Sequence, residues 1–294
     1  MRRRRTRMRT AGRIIAAMFA VGFACAAYIY LTLPDVRVLR TKNPSTTAFI
    51  ELRTRQAIDK GEQPRRVQRW APYSRISGNL KRAVIVSEDS AFWQHDGVDY
   101  QQLKESIETN LERMEFARGG STITQQLAKN LYLSPSKNPI RKVRELLIAR
   151  RLEAELSKQR ILEIYLNVVE WGNGIYGAEA AARTYFNKSA AELSASDSAL
   201  LAGALVNARL LDPGKPTARL RRRQELILRR MDAVTPPPVI AEPVAAPLPA
   251  PDLVPVPLLP PPVAAPDVLP GEVVPAVKPA GPPDGKPPST PPDN

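Results

Sequence analysis

The chain of 294 residues has a single cysteine, Cys25, and a single histidine, His95. One thiol cannot close an intramolecular disulfide. One imidazole with no further thiol leaves no histidine- or cysteine-based zinc site. Strictly alternating apolar and polar runs, the mark of half-buried strands, are scarce. No Gly-Lys-Ser/Thr sequence is present, which excludes a Walker-type phosphate loop. Acidic residues are few relative to basic ones, 29 against 43, for a formal net charge of +14. A balance so far from zero implies an anionic partner such as nucleic acid, anionic lipid or phosphate. No nucleic-acid-binding motif favours the first of these.

The charge is spread unevenly. Residues 1–64 and 65–233 each carry a net +9, whereas the stretch from 234 onward carries −4. Between Ile14 and Leu33 there are 20 residues without a charge. A helix of that length covers about 30 Å, the hydrocarbon thickness of a bilayer. Seven arginines among the first 13 residues hold the N-terminus in the cytoplasm by the positive-inside rule, so everything beyond residue 34 is exported. Ala24-Cys25-Ala26 loosely fits a signal-peptide cleavage site. The apolar run continues through Tyr28 to Leu31, however, too long for a signal core. An uncleaved anchor is the expectation. A lipid on Cys25 is disfavoured, because Gly22 stands where a lipoprotein signal has leucine.

Five segments follow: a basic N-terminus (1–13), a transmembrane helix (14–33), a polar, irregular connector (34–64), a folded domain (65–233) and a tail (234–294). Within the domain, apolar residues recur at helical spacing, as in Leu80-Val84-Ile85, Leu127-Leu131, Ile161-Leu162-Tyr165-Leu166 and Leu200-Leu201-Ala204-Leu205. The domain is therefore read as mainly α. Gly119-Gly120, Ser134-Pro135 and Trp171 to Gly174 punctuate it as loops, and Asp197 is expected to cap a helix starting at Ser198. In the tail, 22 of the last 60 residues are proline. That density removes backbone donors and blocks helix and sheet, so disordered polyproline II is expected.

Three clusters carry the chemistry. Glu88 follows the apolar run Ala83 to Val86. A carboxylate at the mouth of such a helix is partly desolvated and pushed towards the range of a general base. Glu145 has Arg141 four residues before it and Lys142 three before it, both on its helical face. Neighbouring cations favour its ionised form, which suits it to orient positive charge around a diphosphate rather than to donate a proton. Between the two lie Ser121, Thr122, Thr124, Gln125, Gln126 and Lys129, which offer donors for sugar hydroxyls or phosphate. Phe92 and Gly97 are expected to shape their segment, and His95 to be a structural hydrogen-bonder. Two carboxylates, a hydroxyl- and amide-rich loop and a cationic cluster are what glycosyl transfer from a diphosphate donor requires. Behind a membrane anchor, the substrate narrows to something lipid-borne.

These segments resemble the peptidoglycan glycosyltransferases of glycosyltransferase family 51, specifically the monofunctional biosynthetic transglycosylases. The resemblance runs from about Val67 to Arg230. It rests on Glu88-Asp89 with Phe92, His95 and Gly97, on Gly119 to Gln126 with Lys129-Asn130, and on Arg141-Lys142 with Glu145. Arg160 to Asn167, Trp171 to Ala181, and Tyr185-Phe186 complete it. It implies a lysozyme-like, mainly α domain with a small lobe near the membrane. It also implies lipid II as substrate, inverting transfer into linear β-1,4 glycan strands and release of undecaprenyl diphosphate. Glu88 matches the family's base and Glu145 its second essential carboxylate. Ser121, Thr122, Gln125, Gln126, Lys129, Lys137, Arg141 and Lys142 fall on or beside positions that contact the donor's phosphates and sugars. No cofactor is required by the pattern; a divalent cation, Mg or Mn, at the diphosphate is the candidate. The implied location is the inner membrane, single-pass, with a periplasmic catalytic domain. The implied partners are lipid II, the growing glycan and other cell-wall synthesis or division proteins.

The chain departs from the family pattern in two places. Lys137 stands where many members have arginine, a point charge in place of a bidentate fork. Glu105, with Lys104 beside it, stands where some have a basic residue. Rival readings are a lysozyme-like hydrolase, which would also use two carboxylates but needs no diphosphate cluster, and a non-enzymatic anchored scaffold. Ser134-Pro135-Ser136-Lys137 spells the S-x-x-K signature of penicillin-binding proteins, but no K-T-G follows it.

Overall fold

The computed structural model describes residues 2–101, 104, 120–133 and 138–233. Lys137, Gly119, Glu105, Ser134-Pro135 and the proline-rich tail lie outside the described residues.

Helix α1, Arg2–Leu31, carries the apolar stretch. Its segment Arg13–Leu31 has a mean hydropathy of 2.2 and none of it is buried against the rest of the chain. Phe19 and Phe23 are among its most exposed side chains. A surface this apolar and unpacked suits lipid rather than water. The helix ends two residues short of the uncharged run, and Leu33 turns inward to join the core.

The connector is not irregular, which corrects the sequence reading. Val36 and Leu39 are buried around a short 3-10 turn at Arg37–Arg40, and helix α2 spans Ala48–Asp59. Thr47 caps α2 by accepting the Ile50 N–H at 3.1 Å, and Ile50 is buried beneath it. Arg160 then pins the turn through the carbonyls of Leu39 and Lys42, at 2.9 and 3.1 Å.

The domain proper is helical. Its elements are α3 (Gly78–Glu88), α4 (Ile123–Tyr132), α5 (Pro139–Glu155), α6 (Lys158–Val168), α7 (Ala178–Phe186), α8 (Ala195–Ala204) and α9 (Ala218–Ala233). Capping side chains set the starts. Ser77, Thr122, Asn138 and Ser157 each accept a backbone N–H from the first turn they open. The cap of α8 is Ser194. Asp197, expected at that position, sits three residues inside and completes a capping box. Helix α6 buries Ile161, Leu162, Ile164, Tyr165, Leu166 and Val168, so its C-terminal half lies within the core while Arg160 and Glu163 pair towards its start. Helix α4 packs on α5 and α6, while α3 packs on α8 and α9.

A small sheet of order β1-β3-β2 joins Val67–Gln68, Ile175–Tyr176 and Glu170–Gly172. Of the expected Trp171–Gly174 loop, Trp171 and Gly172 belong to β2 and only Asn173–Gly174 form the turn of a buried β2–β3 hairpin. Strands this short leave no alternation to read in the sequence.

Candidate active site

Glu88 is the last residue of α3, whose inner face is Leu80, Ala83, Val84, Ile85 and Val86. One carboxylate oxygen, Oε2, accepts a 2.9 Å hydrogen bond from Gln126 Nε2 on α4. Oε1 has no hydrogen bond among the described residues. Burial pushes the Glu88 carboxyl above its ordinary value. The Gln126 bond and the charges of Arg223 and Lys129 pull it part of the way back.

Asp89 is no bystander. It is buried, accepts the Ile123 N–H at 2.9 Å and meets His95 Nε2 at 2.9 Å. It thereby ties the end of α3 to the start of α4. His95 Nδ1 accepts the Gly97 N–H at 3.2 Å, which leaves Nε2 as the proton-bearing nitrogen that donates to Asp89. Gly97 has φ +84°, and a Cβ there would meet Glu153 Cγ at 3.0 Å and the Ala149 carbonyl oxygen at 3.4 Å. The Gly97 carbonyl accepts from Thr122 Oγ1 at 2.7 Å and Gln125 Nε2 at 3.3 Å. Phe92 is buried beneath the Lys158 ammonium, 4.5 Å from its ring centroid. Asp89, Phe92, His95 and Gly97 thus build the frame that aims Glu88.

Glu145, on α5, is only 3% exposed. Arg141 Nη1 donates to one of its oxygens at 3.1 Å and Lys142 Nζ to the other at 2.5 Å. An ordinary surface ion pair is therefore the wrong description. Lys142 also donates to Gln125 Oε1 at 3.2 Å, which connects Glu145 to α4. Lys129, on α4, is within electrostatic reach of both acids. Burial depresses its ammonium, while the charges of Glu145 and, more weakly, Glu88 support it. It donates no hydrogen bond among the described residues.

The predicted site residues therefore divide. Glu88, Gln126 and Lys129 converge on one side of α4. Glu145, Arg141, Lys142 and Gln125 form a second group linked to it. The Thr122 hydroxyl is committed to the cap, donating to Gly97 and accepting the Gln125 N–H at 3.2 Å, so it is not offered to a ligand. The Gln125 amide likewise spans Gly97 and Lys142. Ser121 is exposed at the edge of the site. Arg223 escaped the sequence reading. It anchors to the Gly203 carbonyl at 3.0 Å, and its charge acts on Glu88 from α9. Helix α9 is rich in arginine, so nothing in the sequence singled this one out.

A transglycosylase family model matches residues 55–232. The chain belongs to the transglycosylase family. As a member it is a glycosyltransferase. The match begins inside α2, upstream of the Val67 where the recognisable motifs start, in keeping with the packing of the connector. A biosynthetic peptidoglycan transglycosylase of Herminiimonas arsenicoxydans is 51% identical over 189 residues, covering 64% of this chain and 82% of its own length. Proteins of the same name from Janthinobacterium sp. (strain Marseille) and Chromobacterium violaceum are 49% and 43% identical. They cover 66% and 74% of this chain and 84% and 95% of their own lengths.

Proposed function

We propose that the chain polymerises lipid II into linear β-1,4-linked peptidoglycan strands by inverting glycosyl transfer, releasing undecaprenyl diphosphate. The observation that carries this reading is the pairing of opposites across α4. One acid has an uncommitted oxygen and burial that works against its charge; the other has a cation on each oxygen. A hydrolase needs two carboxylates but has no use for the Lys129, Arg141 and Lys142 charges. A diphosphate leaving group does.

In this mechanism Glu88 Oε1 takes the proton from the acceptor sugar's 4-hydroxyl. The oxygen attacks the donor's anomeric carbon from the face opposite the diphosphate. The carbon–oxygen bond to the diphosphate breaks, and its electrons leave with the phosphate. A single displacement inverts the centre, so an α-linked donor gives a β linkage. Lys129 and the cations ordered by Glu145 meet the charge that develops on the leaving group. Among the described residues no group of three His, Cys, Asp or Glu side chains could hold a metal. A Mg or Mn ion at the diphosphate would be held chiefly by the phosphate oxygens, with Glu145 as the candidate carboxylate, and would add to the positive charge of Lys129, Arg141 and Lys142; no step is routed through one.

The apolar Arg13–Leu31 helix supports anchoring in the inner membrane. The arginines before it favour a cytoplasmic N-terminus and a periplasmic domain by the positive-inside rule. Purified full-length protein incubated with fluorescent lipid II tests the whole reading. Polymer that a muramidase degrades is expected. Breakdown of preformed glycan would favour the hydrolase, and no reaction the scaffold.

A further inference from the structure

The hydrogen bond that holds Glu88 continues into the core. Gln126 presents its Nε2 to Glu88 Oε2 at 2.9 Å and to the Ser121 carbonyl at 3.5 Å. Its Oε1 accepts the Tyr165 hydroxyl at 2.9 Å. Tyr165 is wholly buried on α6. Burial, followed by the negative charges of Glu88 and Asp89, keeps its phenol protonated well beyond the ordinary range, so it is a standing donor.

A primary amide has a donor end and an acceptor end, and here each is fixed from its own side. With the phenol bound to the oxygen, the NH2 must face the carboxylate. Turned over, the amide would set its oxygen against Glu88, which only a protonated carboxyl could satisfy. We propose that Tyr165 and Gln126 form a positioning relay that keeps Glu88 in the form able to accept a proton and leaves its second oxygen for the acceptor hydroxyl. Neither residue touches the reacting atoms. The proposal rests on Glu88 as the base, and it moves Gln126 from the substrate contacts to the machinery that holds that base.

The other charges facing Glu88 come from separate elements. Asp89, just beyond α3, raises its proton affinity; Lys129 of α4 and Arg223 of α9 lower it. Arg223 is tied to Gly203 and Asp89 to His95 and Ile123, so neither depends on the phenol. Removing the phenol therefore disturbs a single contribution.

The test is the pH dependence of lipid II polymerisation by the full-length protein in detergent. For Tyr165→Phe we expect the acidic limb of kcat to move upward by roughly half to one pH unit. Turnover on the acid side of the limb should fall about 3–10-fold, recover as the pH rises past the limb and leave KM unchanged. Gln126→Met, which keeps the volume and leaves the phenol in place, should move the limb the same way and further. The double variant should be no worse than Gln126→Met alone, because the two act in series. A uniform loss with an unmoved limb in both variants would overturn the relay. A raised KM with an unmoved limb for Gln126→Met would also overturn it and return Gln126 to the substrate. Should Tyr165→Phe fail to fold, Gln126→Met decides alone. Glu88→Gln separates the two levels. If it is inert while the limbs of the other variants stay fixed, only the relay fails; if it polymerises, the base assignment fails.

Discussion

Glu88 and Glu145 connect to neighbouring residues of α4, Gln126 directly and Gln125 through Lys142, yet their surroundings are opposite in kind. Glu88 has one neutral hydrogen bond and burial that works against its charge. Glu145 has a cation on each oxygen. Two acids on one helical scaffold thus divide the labour by environment: one is poised to change protonation, the other to keep cations in place. This is the physical content of a base paired with an organiser of leaving-group charge.

The comparison breaks most visibly at Glu88. Glu88→Gln keeps the shape and the Gln126 contact region but cannot take a proton. Polymerisation should fall by about 10²–10⁴-fold. The same variant should melt higher at neutral pH. A carboxyl with a raised native pKa binds its proton more tightly folded than unfolded, so stability falls as pH rises from the ordinary value of 4.5 through the raised one. Gln removes that penalty, by on the order of 2 °C in Tm, and the gain should vanish in acid. A variant that is both active and no more stable than wild type would show that Glu88 is an ordinary solvated glutamate.

At the other acid the effects are smaller and coupled. Glu145→Gln and Arg141→Ala should each lower turnover by about 10–100-fold. The double variant should lie close to the worse single, since the groups act as a unit. Losses that multiply would separate Arg141 from Glu145.

The frame answers in stability rather than chemistry. Asp89→Asn weakens the charge-assisted contacts to His95 and the Ile123 N–H, and should cost about 1–3 kcal/mol, read as a lower Tm. An unchanged Tm would mean that the α3–α4 junction is held elsewhere.

The smallest effect is expected at the anchor. Arg144 donates to the Thr32 carbonyl and hydroxyl at 3.0 Å, and Arg151 to the Tyr30 carbonyl at 3.3 Å. Both lie on α5, the helix that carries Glu145, and both cap the C-terminal end of α1. Exposed hydrogen bonds of this kind are weak. Arg144→Ala with Arg151→Ala should change turnover in detergent by less than about threefold. A loss as large as that of Glu145→Gln would make the anchor part of the site.

Much of this was legible in the sequence because the decisive signals are local. Helical spacing gave the mainly α domain, and the Arg141, Lys142, Glu145 triad is one turn of α5. Connections made in three dimensions were not legible. Nothing local marks the role of Asp89, because its partners, His95 and the Ile123 N–H, are reached only after the chain folds back. Thr122 looked like a sugar-binding hydroxyl, although a threonine before an apolar helix is a cap first. Helix α2 was hidden because Glu51, Arg53, Arg55 and Gln56 surround a short apolar face. Tyr165 was read as core, which it is; that its hydroxyl reaches Gln126 depends on how α4 crosses α6.

The central claim is that protonation at Glu88 limits the reaction in acid. The pH dependence of polymerisation by full-length wild type and Glu145→Gln tests it directly. The account predicts a lower rate at every pH with the acidic limb in the same place. A limb that moves with the Glu145 substitution would contradict it and reverse the two assignments.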